Sequence, residues 1–259
     1  RYMLEHSDGI LPRRKTVWVP RPVGKHKWRK AWRRSKLAKK ALKSVDKCIT
    51  IGAPIETRVA PKKAKRIYIT DTEVNHLAHN LCKPTDIVIP THFIDELSGK
   101  LLHKKAKIHR IDGLHGHVHL HPTLRPRTVS TPPKVMVRRL VGDGIHDSDE
   151  ILEIPENWLE GLDVKCADEN EVEGNPWDLI TKISSMDGVI TQSVTLASES
   201  ALLGVPCLLV TKAVRGFLQR LENEGYPLFI ANKLDESILS SWLAGIHPVS
   251  YTHLTLPTI

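Results

Sequence analysis

Residues 191–206, TQSVTLASESALLGVP, follow an apolar run at 188–190 and lead into CLLV at 207–210. The pattern reads as strand, tight loop, helix, then Gly-x-Pro and a new strand. A short loop opening a helix leaves backbone N–H groups without intrahelical acceptors, with the positive end of the helix dipole behind them. Such a terminus accepts a phosphate. Gln192, Ser193 and Thr195 are the loop residues placed to meet it. Glu199, the one acid of the predicted helix, lies about one turn in, where a carboxylate can reach ribose hydroxyls. Arg138 and Arg139 close the apolar run 135–140 and would add positive charge; a bidentate Arg–phosphate contact contributes about 1.5–3 kcal/mol. The plainer readings are an ordinary βαβ crossover with a solvated Glu199, and a salt bridge for the two arginines.

A second group could move protons. Asp71, Glu73 and His76 follow the strand-like RIYIT at 66–70, the position where α/β proteins place function. Helix capping by Asp71 or Thr72 is the competing reading. His115, His117, His119 and His121 alternate at strand spacing and would share one face spanning about 20 Å. One ion could take two neighbours at most, and no Cys or carboxylate completes a set, so no metal is expected. His115 is instead placed near substrate. The acidic run GDGIHDSDE at 142–150 lacks the spacing of a calcium loop.

These groups need a scaffold, and the periodicities supply one. Strand-like runs at 48–52, 66–70, 86–90 and 107–111 alternate with helix-like stretches at 73–82 and 93–102. A second series begins at 135–140 and continues with strands at 163–167, 188–191, 207–210 and 227–231. Its helices are expected at 176–186, around Glu199, at 216–224 and at 236–243. Alternation of this kind implies an α/β fold with parallel sheets covered on both faces. The four prolines of HPTLRPRTVSTPP at 121–133 separate the two series and fit a domain boundary. The expected organisation is two Rossmann-like domains facing a cleft: an incomplete, acceptor-side domain over 1–120, a linker over 121–133, and a nucleotide-binding domain over 134–247.

The chain has 259 residues, 41% of them hydrophobic, and a mean hydropathy of −0.24. No run of 18 apolar residues occurs, so no spanning helix is expected. Cys48, Cys82, Cys166 and Cys207 form no CxxC pair and read as reduced thiols in a cytoplasmic protein. The net charge of +9 is local. Residues 12–43 hold fourteen Lys or Arg and no acid, whereas from Ser44 onward 23 basic residues face 27 acidic ones. Within the basic stretch, residues 27–45 read as a helix with a narrow stripe of Trp28, Trp32, Ser35, Ala38, Leu42 and Val45. Three uses compete: packing of the Trp stripe onto the domain itself, peripheral contact with an anionic membrane, and nucleic-acid binding. The last is disfavoured, because no nucleic-acid motif follows. The end of the chain, VSYTHLTLPT at 249–258, matches one reading frame of a transposase-adapter sequence. Residues 249–259 are therefore expected to be a non-native tail on a chain truncated at both ends.

Several segments together resemble domain-of-unknown-function family 354, whose members look like relatives of GT-B glycosyltransferases and of UDP-N-acetylglucosamine 2-epimerase. The residues that carry the resemblance are Gly52, Pro54, Arg58, Val59 and Ala60, then Asp71, Asn80 and the run 86–90, then Asp112 and Gly113 within IDGLHGHVHL, and finally SESALLGVP at 198–206. Ser193 and Val194 stand where the family usually has Gly-Gly, and His115–Gly116 replaces its Lys-Glu pair. An opening strand of the family, roughly 40–60 residues with its loop and helix, has no counterpart. The resemblance implies a GT-B-like fold and binding of a nucleotide-sugar, UDP-linked, as substrate rather than cofactor. Gly52, Pro54, Asn80, Asp112, Gly113 and His115 would then line the cleft. The implied activity is metal-independent glycosyl transfer, with an acceptor that the basic helix could bring from a membrane. The alternatives are a nucleotide-sugar 2-epimerase and a non-catalytic binder of sugar-nucleotides or polyanions.

Overall fold

The computed structural model describes residues 27–120, 128–140, 151–167 and 178–246. The chain forms two compact units. One spans 12–113, and the other spans 114–259 together with 1–11. The division falls between Gly113 and Leu114, ahead of the proline-rich run at 121–133. Residues 121–127 of that run, the acidic loop 142–150 and the tail 249–259 lie outside the described residues.

The 12–113 unit holds β1 (Lys47–Ile51), β2 (Lys65–Ile69), β3 (Asp86–Pro90) and β4 (Lys107–Ile111), all parallel in the order β1-β2-β3-β4. Its helices are α1 (Lys27–Ala41), α2 (Pro54–Val59) and α3 (His76–Leu81). The helix predicted over 93–102 is one 3-10 turn, Asp95–Ser98, stopped by Gly99 at φ +61°. Right-handed crossovers between strands that advance in one direction all return over the same face of the sheet. The helices therefore collect on the side of Thr50, Tyr68, Ile87 and Ile89. There Tyr68, Ile87 and Ile89 pack with Cys82, Phe93 and Leu101, and Thr50 hydrogen-bonds Thr57 of α2 at 2.7 Å. The opposite face carries Ile49, Ile51 and Ile111, which are 62%, 70% and 53% exposed. Expected cover on both faces is thus not met within this unit, because its strand order never reverses.

The basic helix also differs from its reading. Ala38 is buried, Ala31, Ser35 and Leu42 are half-buried beside it, and Arg34 on the same side reaches Glu56 of α2. Trp32 lies on the other side, 59% exposed, with the Lys36 ammonium 3.7 Å from its ring centroid. Of the predicted stripe, Ser35, Ala38, Leu42 and Val45 are thus buried or half-buried, and Trp32 is the member that departs from it.

The second unit holds β5 (Lys134–Arg138), β6 (Asp163–Cys166), β7 (Gly188–Thr191), β8 (Cys207–Val210) and β9 (Leu228–Ala231), parallel in the order β6-β5-β7-β8-β9. Here the order does reverse, and helices lie on both faces. Met136, Val189, Cys207 and Leu209 pack with residues of α4 (Leu179–Ser184), α5 (Val194–Leu202) and α6 (Gly216–Asn223). Val135, Val137, Ile190, Leu208 and Val210 pack with Trp158 and with Trp242 and Ile246 of α7 (Glu236–Ile246). Burial on both sides explains why β5, β7 and β8 read as continuous apolar runs rather than alternating ones. Both units are α/β with parallel sheets, of four and five strands, consistent with Rossmann-like domains. No helix among the described residues is long and apolar enough to cross a membrane.

Candidate functional site

The order β6-β5-β7-β8-β9 has its switch point between β5 and β7. In open parallel sheets, ligands bind outside the carboxyl ends of the strands at such a point. The residues there are Arg138, which ends β5, and Thr191, which ends β7; the two are partners in register. Arg139 and the loop 192–193 follow directly. The Thr191 hydroxyl donates to the Arg138 carbonyl at 3.1 Å and accepts the Ser193 N–H at 3.0 Å. Thr191 was not singled out from the sequence, yet it couples the two strand ends.

Ser193 is the N-cap of α5, with φ −86° and ψ 114°, and its hydroxyl accepts the Leu196 N–H at 3.4 Å. The helix begins at Val194. The loop therefore enters the helix through an extended residue, and Ser193 meets that requirement without a glycine. The Leu196 N–H is capped by the side chain, and the Ala197 N–H bonds the Ser193 carbonyl at 3.0 Å. By helix geometry the Val194 and Thr195 N–H groups are the ones without an intrahelical acceptor, and they point out of the end of α5 with the helix dipole. Thr195 is exposed.

Gln192 differs in kind from its neighbours. It is buried, its amide oxygen accepts the Leu140 N–H at 2.8 Å, and its amide nitrogen donates to the Leu152 carbonyl at 2.6 Å. Both ends of the side chain are thus used to hold the two sides of the 140–152 loop against β7. Arg139 turns to Glu156, whose carboxylate is 2.9 Å from its guanidinium.

Glu199 lies one and a half turns into α5, with 18% of its side chain exposed, and its carboxylate is 3.3 Å from His119 Nε2. The pairing spans 80 residues, and no periodicity in the sequence could have found it. It exists because the histidine run is not a strand. Residues His115–Val118 form a 3-10 turn, and the backbone at Gly116 presses on α5 so closely that a Cβ there would lie 2.3 Å from Leu202 Cδ1. Leu114 and Leu120 on either side are buried in the core of the second unit. The histidines consequently do not share one face. The His115 and His119 rings meet edge to face at 5.7 Å, while His117 Nδ1 takes the Leu114 N–H at 3.5 Å. Among the described residues, no three His, Cys, Asp or Glu side chains converge as a metal cage.

In the 12–113 unit, Gly52, Asp71, Asp112 and Gly113 all lie along the carboxyl edge of the sheet, since each follows the end of a strand. Gly52, at φ +57°, donates its N–H to the Ile69 carbonyl at 2.9 Å and turns the chain into α2, whose first residue is Pro54. Asp112 accepts from the Thr91 hydroxyl at 3.3 Å and the Gly113 N–H at 3.0 Å. Asn80 lies in the last turn of α3, toward the opposite edge, where its carbonyl accepts from Lys104 at 3.4 Å.

The three proton-transfer candidates differ in their exposure. Asp71 is half-buried beside the Thr72 hydroxyl, at 3.3 Å. His76 is exposed, with its ring against Gly99. Glu73 is fully buried and accepts the Ile94 N–H at 3.3 Å. A base must come within hydrogen-bond reach of the proton it removes; an enclosed carboxylate that ties one loop to another offers no face to a substrate hydroxyl. The cap of α3 is Asn75, whose side chain accepts the Ala78 N–H, and not Asp71 or Thr72. Beneath Glu73, burial pushes the His79 imidazole below its ordinary value, partly offset by its contact with the Ser98 carbonyl at 3.1 Å.

No protein-family model, no curated protein and no solved structure matches this chain.

Proposed function

We propose that the chain binds a nucleotide-sugar, UDP-linked, at the carboxyl ends of β5 and β7 and transfers the sugar without a metal, in the manner of a GT-B glycosyltransferase. The observation that carries the reading is the switch point itself: Arg138 of β5 in register with Thr191 of β7, at the mouth of a capped helix. The diphosphate would rest on the Val194 and Thr195 N–H groups, with Arg138 supplying positive charge in place of a cation. Glu199 would hold the ribose, braced by His119. In the transfer step an acceptor hydroxyl oxygen bonds to the anomeric carbon as the bond from that carbon to the diphosphate breaks. The diphosphate leaves with the electron pair, and the hydroxyl proton passes to a base. Asp71 is the base candidate that its surroundings favour, since Glu73 is enclosed.

Calorimetry with UDP tests the donor half. Binding that Glu199→Ala weakens more than tenfold, about 1.4 kcal/mol, is the expected result. A folded protein that takes up no UDP would overturn the assignment. Incubation with UDP-N-acetylglucosamine alone, followed by proton NMR, separates transfer from epimerisation, because only the latter proceeds without an acceptor.

A further inference from the structure

We infer that α1, together with the lysine-rich edge where the first sheet begins, is a docking face for an anionic lipid surface. This stands apart from the nucleotide-sugar reading and rests on a different unit. At 100° per residue the water-facing half of α1 carries Arg29, Arg33, Lys36, Lys39 and Lys40, all exposed, and Lys43 continues the arc in the following turn. No acid occurs in this stretch. The helix is about 22 Å long, so the charges form a band rather than a point. A second basic cluster lies at the amino edge of the sheet, where Lys47 is in register with Lys65 and Lys62, Lys63, Lys65 and Lys107 surround a hollow of about 330 Å³. Of the acids nearby, Asp86 is buried beneath Lys65 and His109, and Glu56 is taken up by Arg34. Asp46, just ahead of β1, is exposed.

Charge alone would suit any polyanion; the apolar members of the arc favour lipid. Trp32 and Leu37 stand among the cations, 59% and 42% exposed. The headgroup zone of a bilayer accepts both an indole and an aliphatic chain while its anionic lipids meet the lysines. A nucleic acid could stack a base on Trp32 but has no counterpart for Leu37. The inner side of α1 is already packed on α2 through Ala38 and the Arg34–Glu56 pair. The outer side can therefore meet a membrane surface without unfolding anything.

The test is co-sedimentation of the full chain with vesicles of phosphatidylcholine, with and without about one third phosphatidylglycerol, at low and high salt. Each basic residue near an anionic surface contributes about 1 kcal/mol, or about fivefold in partitioning. Arg33→Gln with Lys36→Gln and Lys40→Gln should therefore weaken binding to the anionic vesicles about a hundredfold, and Trp32→Ser should remove the part that survives high salt. Far-UV circular dichroism checks that the variants fold. Lys62→Gln with Lys63→Gln, outside the helix, gives an independent reading of the second basic cluster. Equal binding to neutral and anionic vesicles, or no binding to anionic vesicles at low salt by the folded chain, would overturn the proposal. So would binding of duplex DNA or RNA tenfold tighter than of anionic vesicles, which would reassign the face to nucleic acid.

Discussion

Replacing Gln192 by Leu separates a positioning role from a ligand-binding one. The Gln192 amide makes two hydrogen bonds, to the Leu140 N–H and the Leu152 carbonyl, and both are short and partly buried. A net hydrogen bond contributes about 1 kcal/mol, and leaving its buried partner unsatisfied adds about 1–3 kcal/mol. Leu140 and Leu152 are half-buried, so the lower end of that penalty applies and the expected loss is about 2–4 kcal/mol. For a unit of this size that is a fall in Tm of roughly 4–16 °C. Gln192→Glu should be no better, because it keeps an acceptor for Leu140 and sets a carboxylate against the Leu152 carbonyl. The assays are thermal unfolding and, below the transition, UDP calorimetry. The positioning role predicts a large stability loss, with UDP affinity falling less than for Glu199→Ala. Stability within about 0.5 kcal/mol of the parent together with a tenfold loss of UDP affinity would refute it and return Gln192 to the ligand.

Gly188→Ala should destabilise the second unit by about 1–3 kcal/mol, since a Cβ there would lie 2.8 Å from Trp242 Cζ2 and 3.0 Å from Ile246 Cδ1; an unchanged urea midpoint would count against this packing. The buried His79 takes a proton less readily folded than unfolded, so the unfolded chain binds more protons as pH falls through about 6.5. Its contribution is complete above that pH and is lost on acidification toward the depressed folded value. A His79→Gln variant should show a shallower fall in stability over that interval, and an identical slope in parent and variant would exclude His79 as its source.

Much of the scaffold is legible because a buried parallel strand leaves an unbroken apolar word in the sequence, as in DIVIP, GVIT and CLLV, whose bounds the structure keeps. KIHRI keeps its bounds too, although the strand is exposed along its length. Local signals failed where tertiary contacts decide the outcome. The histidine run alternates like a strand, but Gly116 lets the backbone descend onto Leu202 and the segment curls into a turn. The 93–102 stretch has helical periodicity, but the positive φ of Gly99 ends it after one turn. Trp32 shares its helical spacing with Ser35, Ala38 and Leu42, yet Ala38 is buried while Trp32 stays exposed. At the candidate site the loop ahead of α5 is readable from the sequence, and the capping role of Ser193 is not. Thr191 and the His119–Glu199 pair were not, since each depends on which strands and turns become neighbours.

Topology also distinguishes the two units. A crevice at the carboxyl edge opens where adjacent strands send their connections to opposite faces. In the β6-β5-β7-β8-β9 sheet that happens once, between β5 and β7, and the loop, the cap and Arg138 are all found there. In the β1-β2-β3-β4 sheet it does not happen among the described strands: every connection returns over the Tyr68 face, and the isoleucines of the other face stay bare. Without a switch point the carboxyl edge of that sheet offers a row of loops, with Gly52, Asp71 and Asp112 set along it and Glu73 drawn into the core. The order of the strands thus gives the second unit a switch point at its carboxyl edge that the described strands of the first do not have.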